Sequence, residues 1–223
     1  MKQAFNKFAL AALALAACGV ASAQSAGTWL VKVGVNKIDP KVSSGDLSEP
    51  SMPGTKIDVK SATSGLLTAT YMVTDAVAVE FYAGLPYKHD VVGAGSIQGV
   101  GKLGTIKQVS PTIFGQYRFM EANAPFRPYV GLGLTYAHFY GEEGSSTLTA
   151  LTNPGGPPTR ISASSAFGLS PQIGASFMLN DHWFVDGSII KTFIKNKNTL
   201  STGQTIDTKL NPLSTNVSIG YKF

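Results

Sequence analysis

Residues 213–223 read L-S-T-N-V-S-I-G-Y-K-F, and this stretch decides the fold of the chain. Because successive side chains of a strand point to opposite faces, one face carries Leu213, Thr215, Val217, Ile219, Tyr221 and Phe223. The opposite face, which suits water where the first suits lipid, carries Ser214, Asn216, Ser218, Gly220 and Lys222. Such a strand, ending in an aromatic residue, is typical of the closing strand of a bacterial outer-membrane barrel, which leaves no edge exposed to hydrocarbon. The alternative is the edge strand of a soluble sandwich.

The first 23 residues have the regions of a secretory signal peptide. Two lysines precede an apolar run at residues 8–17, which is too short to span a bilayer. The small-x-small cleavage site A-S-A follows at residues 21–23. We therefore predict a signal peptide at residues 1–23 and a mature domain at residues 24–223.

A second processing site overlaps this leader. Residues 15–18 read L-A-A-C and resemble the lipobox of bacterial lipoproteins, in which Cys18 would become a lipid-modified amino terminus. The signal-peptide interpretation is favoured because the A-S-A site lies just downstream and because an embedded barrel gains little from a lipid anchor. Cys18 is the only cysteine, so in either case the mature chain has no disulfide and must be stabilised by closure of the sheet.

The charge of the chain is mildly positive and scattered. The sequence has 18 basic and 13 acidic residues, and removal of the two leader lysines leaves 16 basic residues against 13, a net charge of +3. So weak a balance argues against a nucleic-acid partner. Only 14% of the residues are charged, and no apolar run after the leader reaches the roughly 20 residues that a membrane helix needs. Any membrane crossing must therefore use strands.

Eight segments of alternating polarity follow the leader, and we predict that each is a strand. They cover residues 29–36, 63–73, 77–85, 108–119, 127–140, 167–179, 183–192 and 213–223. The connections are alternately long and short, and the long ones cover residues 37–62, 86–106, 141–163 and 195–208. Outer-membrane barrels have short periplasmic turns and long extracellular loops, and an even strand count places both termini in the periplasm. The sequence therefore predicts an all-β chain, an eight-stranded antiparallel transmembrane β-barrel with four long extracellular loops, in the outer membrane of a Gram-negative bacterium.

Two further patterns refine this division of the chain. Aromatic residues suited to a membrane interface fall at the end assigned to the periplasm, and they are Trp29, Tyr71, Tyr117, Phe119, Trp183, Tyr221 and Phe223. Within the first long loop, residues 56–60 are predicted to form a short additional strand. The rest of that loop is rich in proline, serine and glycine and is predicted to be irregular.

Several segments resemble the outer membrane protein W family, which includes alkane-uptake porins of the AlkL type. They are residues 29–35, 70–80, 110–119, 126–133 and 211–223, among which R-P-Y-V-G at 127–131 and G-Y-K-F at 220–223 are the most specific. The resemblance implies an eight-stranded barrel with a narrow, partly apolar lumen that passes small hydrophobic molecules into or through the outer membrane. Some members also serve as bacteriocin receptors or respond to stress. The proline-glycine tract at residues 153–158 departs from the family pattern, and the solute does not carry over.

The alternation of side chains along each strand, here called strand parity, predicts which residues point into the lumen. Near its outer mouth several of these inward side chains are apolar. We predict that these residues bind an apolar solute, and they are Leu66, Tyr82, Phe139 and Ile190. Their small inward neighbours are Gly84, Gly131, Gly133 and Gly168. The alternative is that the apolar side chains only fill the barrel.

Parity also places charged side chains inside the lumen toward its periplasmic end, and they are Lys32, Glu80, Arg118 and Asp186. Charges are costly on the lipid face, and an eight-stranded barrel is too narrow for an open aqueous pore. We predict that the opposite charges pair and close the lower lumen. Solutes would then leave sideways, through gaps where proline removes a hydrogen bond from the sheet, and the candidates are Pro86, Pro111, Pro128 and Pro171. Ordinary bulges are the alternative explanation for these prolines.

Catalysis is not expected, because the three histidines are dispersed. His89 falls in the second extracellular loop, His138 has outward parity, and His182 lies beside a periplasmic turn. No serine is predicted beside any of them in the arrangement of a nucleophile and its base. We predict no catalytic residue, no metal site and no cofactor.

These patterns together predict an outer-membrane channel for passive uptake of small hydrophobic molecules. The solute would be captured in the apolar outer lumen and released laterally into the membrane. The alternative is a surface receptor, an adhesion protein or a stress-response structural barrel without transport. The expected partners are outer-membrane lipids, lipopolysaccharide, small hydrophobic solutes and, through the C-terminal strand, the barrel-assembly machinery.

Overall fold

The structure, a computed structural model, describes residues 24–223. The predicted signal peptide and the alternative processing site at Cys18 lie outside the described residues. The elements, in chain order, are β1 (Trp29–Asp39), β2 (Ser43–Ser44), β3 (Thr55–Val59), β4 (Ala62–Met72), β5 (Val77–Gly84), β6 (Tyr87–Gly95), β7 (Lys102–Val109), β8 (Thr112–Arg118), β9 (Phe126–Gly144), α1 (Ser146–Thr152), β10 (Ile161–Ala163), β11 (Ala166–Met178), β12 (Trp183–Lys191), β13 (Lys195–Leu200), β14 (Thr205–Lys209) and β15 (Leu213–Lys222).

Eight of these strands close into an antiparallel barrel in the order β1, β4, β5, β8, β9, β11, β12 and β15. The C-terminal strand β15 lies between β12 and β1, with Val33 of β1 opposite Ile219 of β15. The backbone N–H of Phe223 continues this seam by donating to the carbonyl of Trp29 at 2.9 Å. The predicted eight-stranded barrel and the closing role of residues 213–223 are confirmed.

The two faces of the barrel strands differ as the alternation predicts. Val33 and Val217 point outward and are 53% and 62% exposed, whereas Asn36, Asn216 and Ser218 are buried in the lumen. Aromatic rings pair at the periplasmic end of the outer surface, including Trp29 with Tyr71, Tyr117 with Phe119, and Trp183 with Tyr221. An apolar band bordered by aromatic residues is what a lipid-facing barrel surface requires.

The four predicted long loops are more regular than the sequence suggested. The first contains β2 and the predicted short strand, observed as β3, and the third contains α1 and β10. The second and fourth loops form the hairpins β6–β7 and β13–β14, which were not predicted. Helix α1 is capped by Ser145, whose side chain accepts a hydrogen bond from the backbone N–H of Leu148 at 3.1 Å. No helix among residues 24–223 is long and apolar enough to cross a membrane.

The hairpins escaped sequence analysis because they stand above the membrane, where lipid no longer imposes an apolar outer face. In β13 the outward side chains Lys195 and Lys197 alternate with the inward side chains Asn196 and Asn198. Both faces are polar, so no amphipathic alternation appears in the sequence, although the cross-strand hydrogen bonds form regardless of side chain.

The extracellular strands form two sheets that continue the barrel upward. One contains β3, β6, β7 and the upper half of β9, and the other contains β10, β13, β14 and β2. Strand β9 has 19 residues, which corresponds to about 60 Å along the strand. A membrane-spanning strand needs only about 9–11 residues. The upper half of β9 and the two sheets therefore enclose a space well above the hydrocarbon.

Candidate functional site

The periplasmic end of the lumen is closed by Gln24 and two buried arginines. Arg118 in β8 donates from Nη1 to the side-chain oxygen of Gln24 at 3.0 Å. Arg127 in β9 donates from Nη1 to the backbone carbonyl of Gln24 at 2.8 Å and from Nη2 to that of Asp75 at 2.6 Å. The arginines thereby hold the start of the described chain across the bottom of the barrel.

An apolar layer lies directly above, formed by the buried side chains of Leu30, Met72, Ala78 and Phe184. Phe184 fills the space above Gly220, where a Cβ would overlap its ring. All four side chains are completely buried.

Three of the four predicted charged residues meet in one buried ion-pair cluster. The ammonium of Lys32 lies 2.8 Å from Oε1 of Glu80 and 3.1 Å from Oδ1 of Asp186. The hydroxyl of Tyr129 also donates to Asp186, at 3.0 Å, and the hydroxyl of Thr70 donates to Glu80, at 3.1 Å. Buried charges are tolerated when they are paired and hydrogen-bonded, and the Lys32 ammonium, the Glu80 carboxylate and Oδ1 of Asp186 all have such partners.

The fourth predicted charge, Arg118, joins this cluster through glutamine side chains. Gln116 donates to Glu80 at 2.8 Å and accepts from Nη2 of Arg118 at 3.1 Å. Gln172 accepts from Gln116 at 2.9 Å, and the Arg118 guanidinium stacks over the Tyr129 ring at 4.7 Å. The charged cluster, as we call Lys32, Glu80, Arg118 and Asp186, is therefore continuous across the lumen.

The predicted solute-binding residues divide between two levels. Leu66, Tyr82 and Ile190 meet above the charged cluster and pack with Phe114, which was not predicted. Phe139 lies higher, in a separate apolar cluster with Val91, Ile106 and Leu210. The lower set forms a filled layer, because the rings of Tyr82 and Phe114 make an edge-to-face contact with their centroids 6.0 Å apart.

The small inward residues do not leave room for a solute. A Cβ on Gly133 would overlap the ring of Phe114, and one on Gly84 would overlap the ring of Tyr87. Gly131 and Gly168 are covered in the same way by Gln172 and Ile194. Large side chains reach over these glycines from neighbouring strands. The space beside each glycine is therefore filled by a protein side chain and not left for a ligand.

The open space begins one level higher. A cavity of about 30 Å³, here called the throat, is lined mainly by apolar side chains, including Ile38, Ile57, Val91, Ile106, Phe139 and Ile194. The polar members of its lining include His89, Gln108 and Asn196. Phe139 is thus the one predicted binding residue that lines the throat.

A larger cavity of about 280 Å³, here called the vestibule, lies at the outer end. Apolar side chains from the extracellular strands and from α1 form most of its wall, including Leu47, Ile97, Leu103, Leu148, Ile161 and Leu200. Met52 and Leu151 line the vestibule and are also 61% and 43% exposed at the surface. The vestibule therefore opens to the outside between the first extracellular segment and α1.

The three cavities adjoin one another, and together they are called the route. The vestibule and the throat are both lined by Ile57, Val91, Ile106 and Asn198. A third cavity of about 30 Å³, the lower cavity, shares Ile38, Gln108, Ile194 and Pro212 with the throat and reaches Tyr82 and Ile190. The route thus narrows inward and ends on the filled layer above the charged cluster.

Two interruptions of the sheet flank the lower cavity. The β5–β8 ladder ends at Tyr82 opposite Thr112, and pairing resumes in the β6–β7 hairpin only at Tyr87 opposite Gln108. Pro86 and Pro111 lie between these pairs.

The β11–β12 ladder ends at Gln172 opposite Ile190, and Pro171 is the next residue upward. A single further pairing joins Leu169 to Phe193. Pro128 behaves differently, because it remains in register opposite Ala175. Its missing N–H leaves no unpaired acceptor, since the carbonyl of Phe119 accepts from Nε of Arg127 at 3.3 Å. Pro171, Pro86 and Pro111 therefore lie at interruptions of the strand pairing, and Pro128 does not.

The histidines do not assemble a catalytic site in the described chain. His138 lies on the outer surface, where its Nδ1 is 3.0 Å from the hydroxyl of Ser165. This neighbour corrects the expectation that no serine accompanies a histidine, but no carboxylate is hydrogen-bonded to that ring among the described residues. Nδ1 of His182 donates to the backbone carbonyl of Lys222 at the periplasmic turn, at 3.2 Å. No group of three or more histidine, cysteine, aspartate or glutamate side chains within residues 24–223 could hold a metal ion.

Sequence analysis missed most of the walls of the route. His89, assigned to a loop, lies in β6 and is buried in the throat lining. Asn196 and Leu148 were likewise assigned to loops. The alternation in Y-K-H-D-V-V at residues 87–92 was the available signal, since Tyr87, His89 and Val91 share one face of a short strand.

A closed eight-stranded barrel with an apolar outer belt and a polar, partly filled lumen defines an outer-membrane protein of a Gram-negative bacterium. The family profile of the OmpW family matches residues 25–223. Outer membrane protein W of Vibrio cholerae serotype O1 is 33% identical over 220 residues, covering 96% of this chain and 97% of that protein. The chain belongs to the OmpW family, and its predicted outer-membrane location is confirmed.

Solved structures agree with this assignment. The crystal structure of the outer membrane protein OprG from Pseudomonas aeruginosa matches with a TM-score of 0.81 and 32% identity, covering 90% of this chain and 98% of that chain. The solid-state NMR structure of outer membrane protein AlkL in lipid bilayers matches with a TM-score of 0.67 and 18% identity, covering 93% and 94%. At 18% identity the second likeness concerns the fold alone.

Proposed function

We propose that this protein is a channel for passive uptake of small hydrophobic molecules, which enter the vestibule and leave sideways into the membrane. The observation that carries the proposal is the apolar route from the vestibule through the throat, which ends above the charged cluster. An apolar interior of this extent is unnecessary for a barrel whose lower half is already filled. The implied role of the family, passage of small hydrophobic molecules, supports the same function.

The size of the vestibule suits a small solute. Its volume of about 280 Å³ exceeds the roughly 150 Å³ of an engineered apolar cavity that binds benzene. The throat and the lower cavity are much smaller, at about 30 Å³ each, so a solute that moves inward must displace side chains there. Transfer of such a molecule from water to this lining is favoured by roughly 25 cal/mol for each Å² of apolar surface removed from water.

The charged cluster makes the axial route unfavourable for the same solute. Passage would separate Lys32 from Glu80 and Asp186 and surround the exposed charges with an apolar molecule, which is costly. Sideways exit does not carry this cost. Leu169 and Phe193, beside the gap above Pro171, are apolar and exposed on the outer surface, so the gap faces hydrocarbon.

The barrel extends above the hydrocarbon of the membrane, and this height explains why such a route is useful. Outside the hydrocarbon, the outer membrane presents the polar saccharides of lipopolysaccharide, in which apolar molecules dissolve poorly. The extracellular sheets carry the vestibule above the bilayer, and the route then leads back down to the lipid-facing gaps. The protein thereby offers apolar molecules a path through the saccharide layer.

The test is the initial rate of uptake of radiolabelled n-octane by cells that express the wild type or one of two matched variants. Val91→Asp places a charge where the vestibule and the throat meet, because Val91 lines both cavities. Val92→Asp makes the same change on the adjacent residue, which is half-buried and lines neither the vestibule nor the throat. We expect Val91→Asp to reduce uptake to the level of cells without the protein and Val92→Asp to retain it.

The amount of folded protein in the outer membrane is the control for both variants, measured by heat-dependent gel mobility. Equal uptake by wild-type cells and by cells without the protein would refute the transport proposal. A surface receptor or a structural barrel would then be the better interpretation. Equal loss of uptake in both variants, at equal folded amounts, would refute the route through the throat.

A further inference from the structure

His89 is a buried histidine that the transport proposal does not use. It is 2% exposed and its ring stacks on that of Tyr87, with centroids 6.3 Å apart. Its Nδ1 lies 2.8 Å from the backbone carbonyl of Lys60. A carbonyl oxygen can only accept, so Nδ1 carries the proton and Nε2 of the neutral ring is an acceptor.

The neutral form of this ring is favoured by its surroundings. Burial lowers the pKa of His89 below its ordinary value, and this effect outweighs the opposing influence of the Lys60 carbonyl and of the nearby Asp90 carboxylate. Asp90 points outward, where it pairs with Lys102 at 2.7 Å. At neutral pH the imidazole therefore keeps its lone pair on Nε2.

That lone pair has no protein donor, although Nε2 is completely buried. The side-chain oxygen of Asn196 is in the same condition, because the amide of Asn196 donates to Asn198 and nothing donates to its oxygen. Both residues belong to the lining of the throat. Buried polar atoms are nearly always hydrogen-bonded, so two unsatisfied acceptors in one small cavity need an explanation.

We propose that the throat recognises one hydrogen-bond donor on an otherwise apolar molecule, so that the substrate class is small apolar alcohols, phenols and N–H heterocycles. The apolar body would occupy the vestibule, and the hydroxyl or N–H group would reach into the throat and donate to Nε2 of His89. This assignment rests on the proposed function, since it names the solutes that the same route would carry. The vestibule and the throat share walls at Val91 and Ile106, so the two ends of one small molecule can occupy the two cavities at once.

The test is a binding measurement on the full-length mature protein in lipid nanodiscs. The probes are 1-naphthol, which has a donor, and 1-methoxynaphthalene, which has the same ring system without one, with empty nanodiscs correcting for partition into lipid. A net hydrogen bond is expected to make 1-naphthol bind roughly 3- to 10-fold more tightly. His89→Phe should remove this preference and leave the affinity for 1-methoxynaphthalene unchanged.

The matched control is His138→Phe, which makes the same change on the outer surface and should preserve the preference. A second readout does not depend on affinity: the ¹⁵N resonance of Nε2 in His89 should shift on addition of 1-naphthol and not on addition of 1-methoxynaphthalene. This distinguishes direct contact from a general packing role of the ring.

Three outcomes overturn the assignment, and they separate it from the proposed function. Equal affinity for both probes in the wild type, or an unchanged preference in His89→Phe, would refute donor recognition while leaving the hydrophobic route intact. Failure of both probes to bind the wild type would refute the assignment together with the proposed function.

Discussion

Lys32 is the single positive charge that lies between two buried carboxylates. Lys32→Met should leave Glu80 and Asp186 without their partner in the lumen and destabilise the barrel by about 3–5 kcal/mol. The measurement is the free energy of unfolding in urea for barrels refolded into lipid vesicles, followed by the fluorescence of Trp29 and Trp183.

The control for this prediction is Lys37→Met, which removes an exposed lysine from the outer face of the same strand. Surface substitutions of this kind change stability by less than about 0.5 kcal/mol. If the two variants unfold with the same free energy, the ion pairs of Lys32 do not stabilise the closed lumen.

Gly174 is required because the Tyr129 side chain crosses directly over it. Gly174→Ala places a Cβ inside the tyrosine ring and forces it away from Asp186, to which its hydroxyl donates. Overpacking of this kind should cost about 1–3 kcal/mol in the same urea experiment. Gly115→Ala is the matched control, since a Cβ there meets no atom within 4 Å. An equal effect of both changes would mean that the packing over Gly174 is not tight.

Among the strands, β11 carries the proline whose removal tests lateral exit. Pro171→Ala supplies a backbone N–H at the point where the β11–β12 ladder stops, opposite Lys191. We expect the ladder to extend, the gap to narrow and n-octane uptake to slow severalfold, with the folded amount unchanged. Pro128→Ala, in a strand without a gap, should leave uptake at the wild-type rate. Wild-type uptake by both variants would place the exit elsewhere, the β5–β8 interruption being the next candidate.

The strands that sequence analysis predicted are those that lipid constrains. In β15 every outward position must be compatible with hydrocarbon and every inward position with a polar lumen, so the alternation is plain. In β6 and β13 water covers the outer face, and the constraint disappears. These strands are specified by pairing and turns, which leave a weaker trace in a single sequence.

The candidate site was predictable to the extent that it depends on parity. Parity placed Lys32, Glu80 and Asp186 inside, and the structure brings them into contact. Parity also placed Tyr82 inside, but it could not show that Phe114 from a neighbouring strand fills the adjacent space. Packing between strands depends on register and on the length of each side chain, and neither follows from alternation alone.

The whole molecule is asymmetric across the membrane, with the vestibule on one side and tight turns on the other. Residues 24–223 contain no cysteine, so single cysteines introduced there can report the orientation of the barrel. Thr202→Cys, in the β13–β14 turn, should react with a membrane-impermeant maleimide on intact cells. Asp181→Cys, in the β11–β12 turn, should react only after the outer membrane is permeabilised. The reverse pattern would place the vestibule in the periplasm and exclude capture from outside.

The charged cluster combines two cations, Lys32 and Arg118, with two anions, Glu80 and Asp186, so its formal charges cancel. An electrical potential acts on a barrier in proportion to the net charge that moves with it, at about 2.3 kcal/mol per charge for each 100 mV. The charged cluster itself therefore has no net charge on which a voltage could act, and uncharged apolar molecules add no charge of their own. Flux through this barrel should follow concentration alone, in either direction, and should not respond to a change of membrane potential.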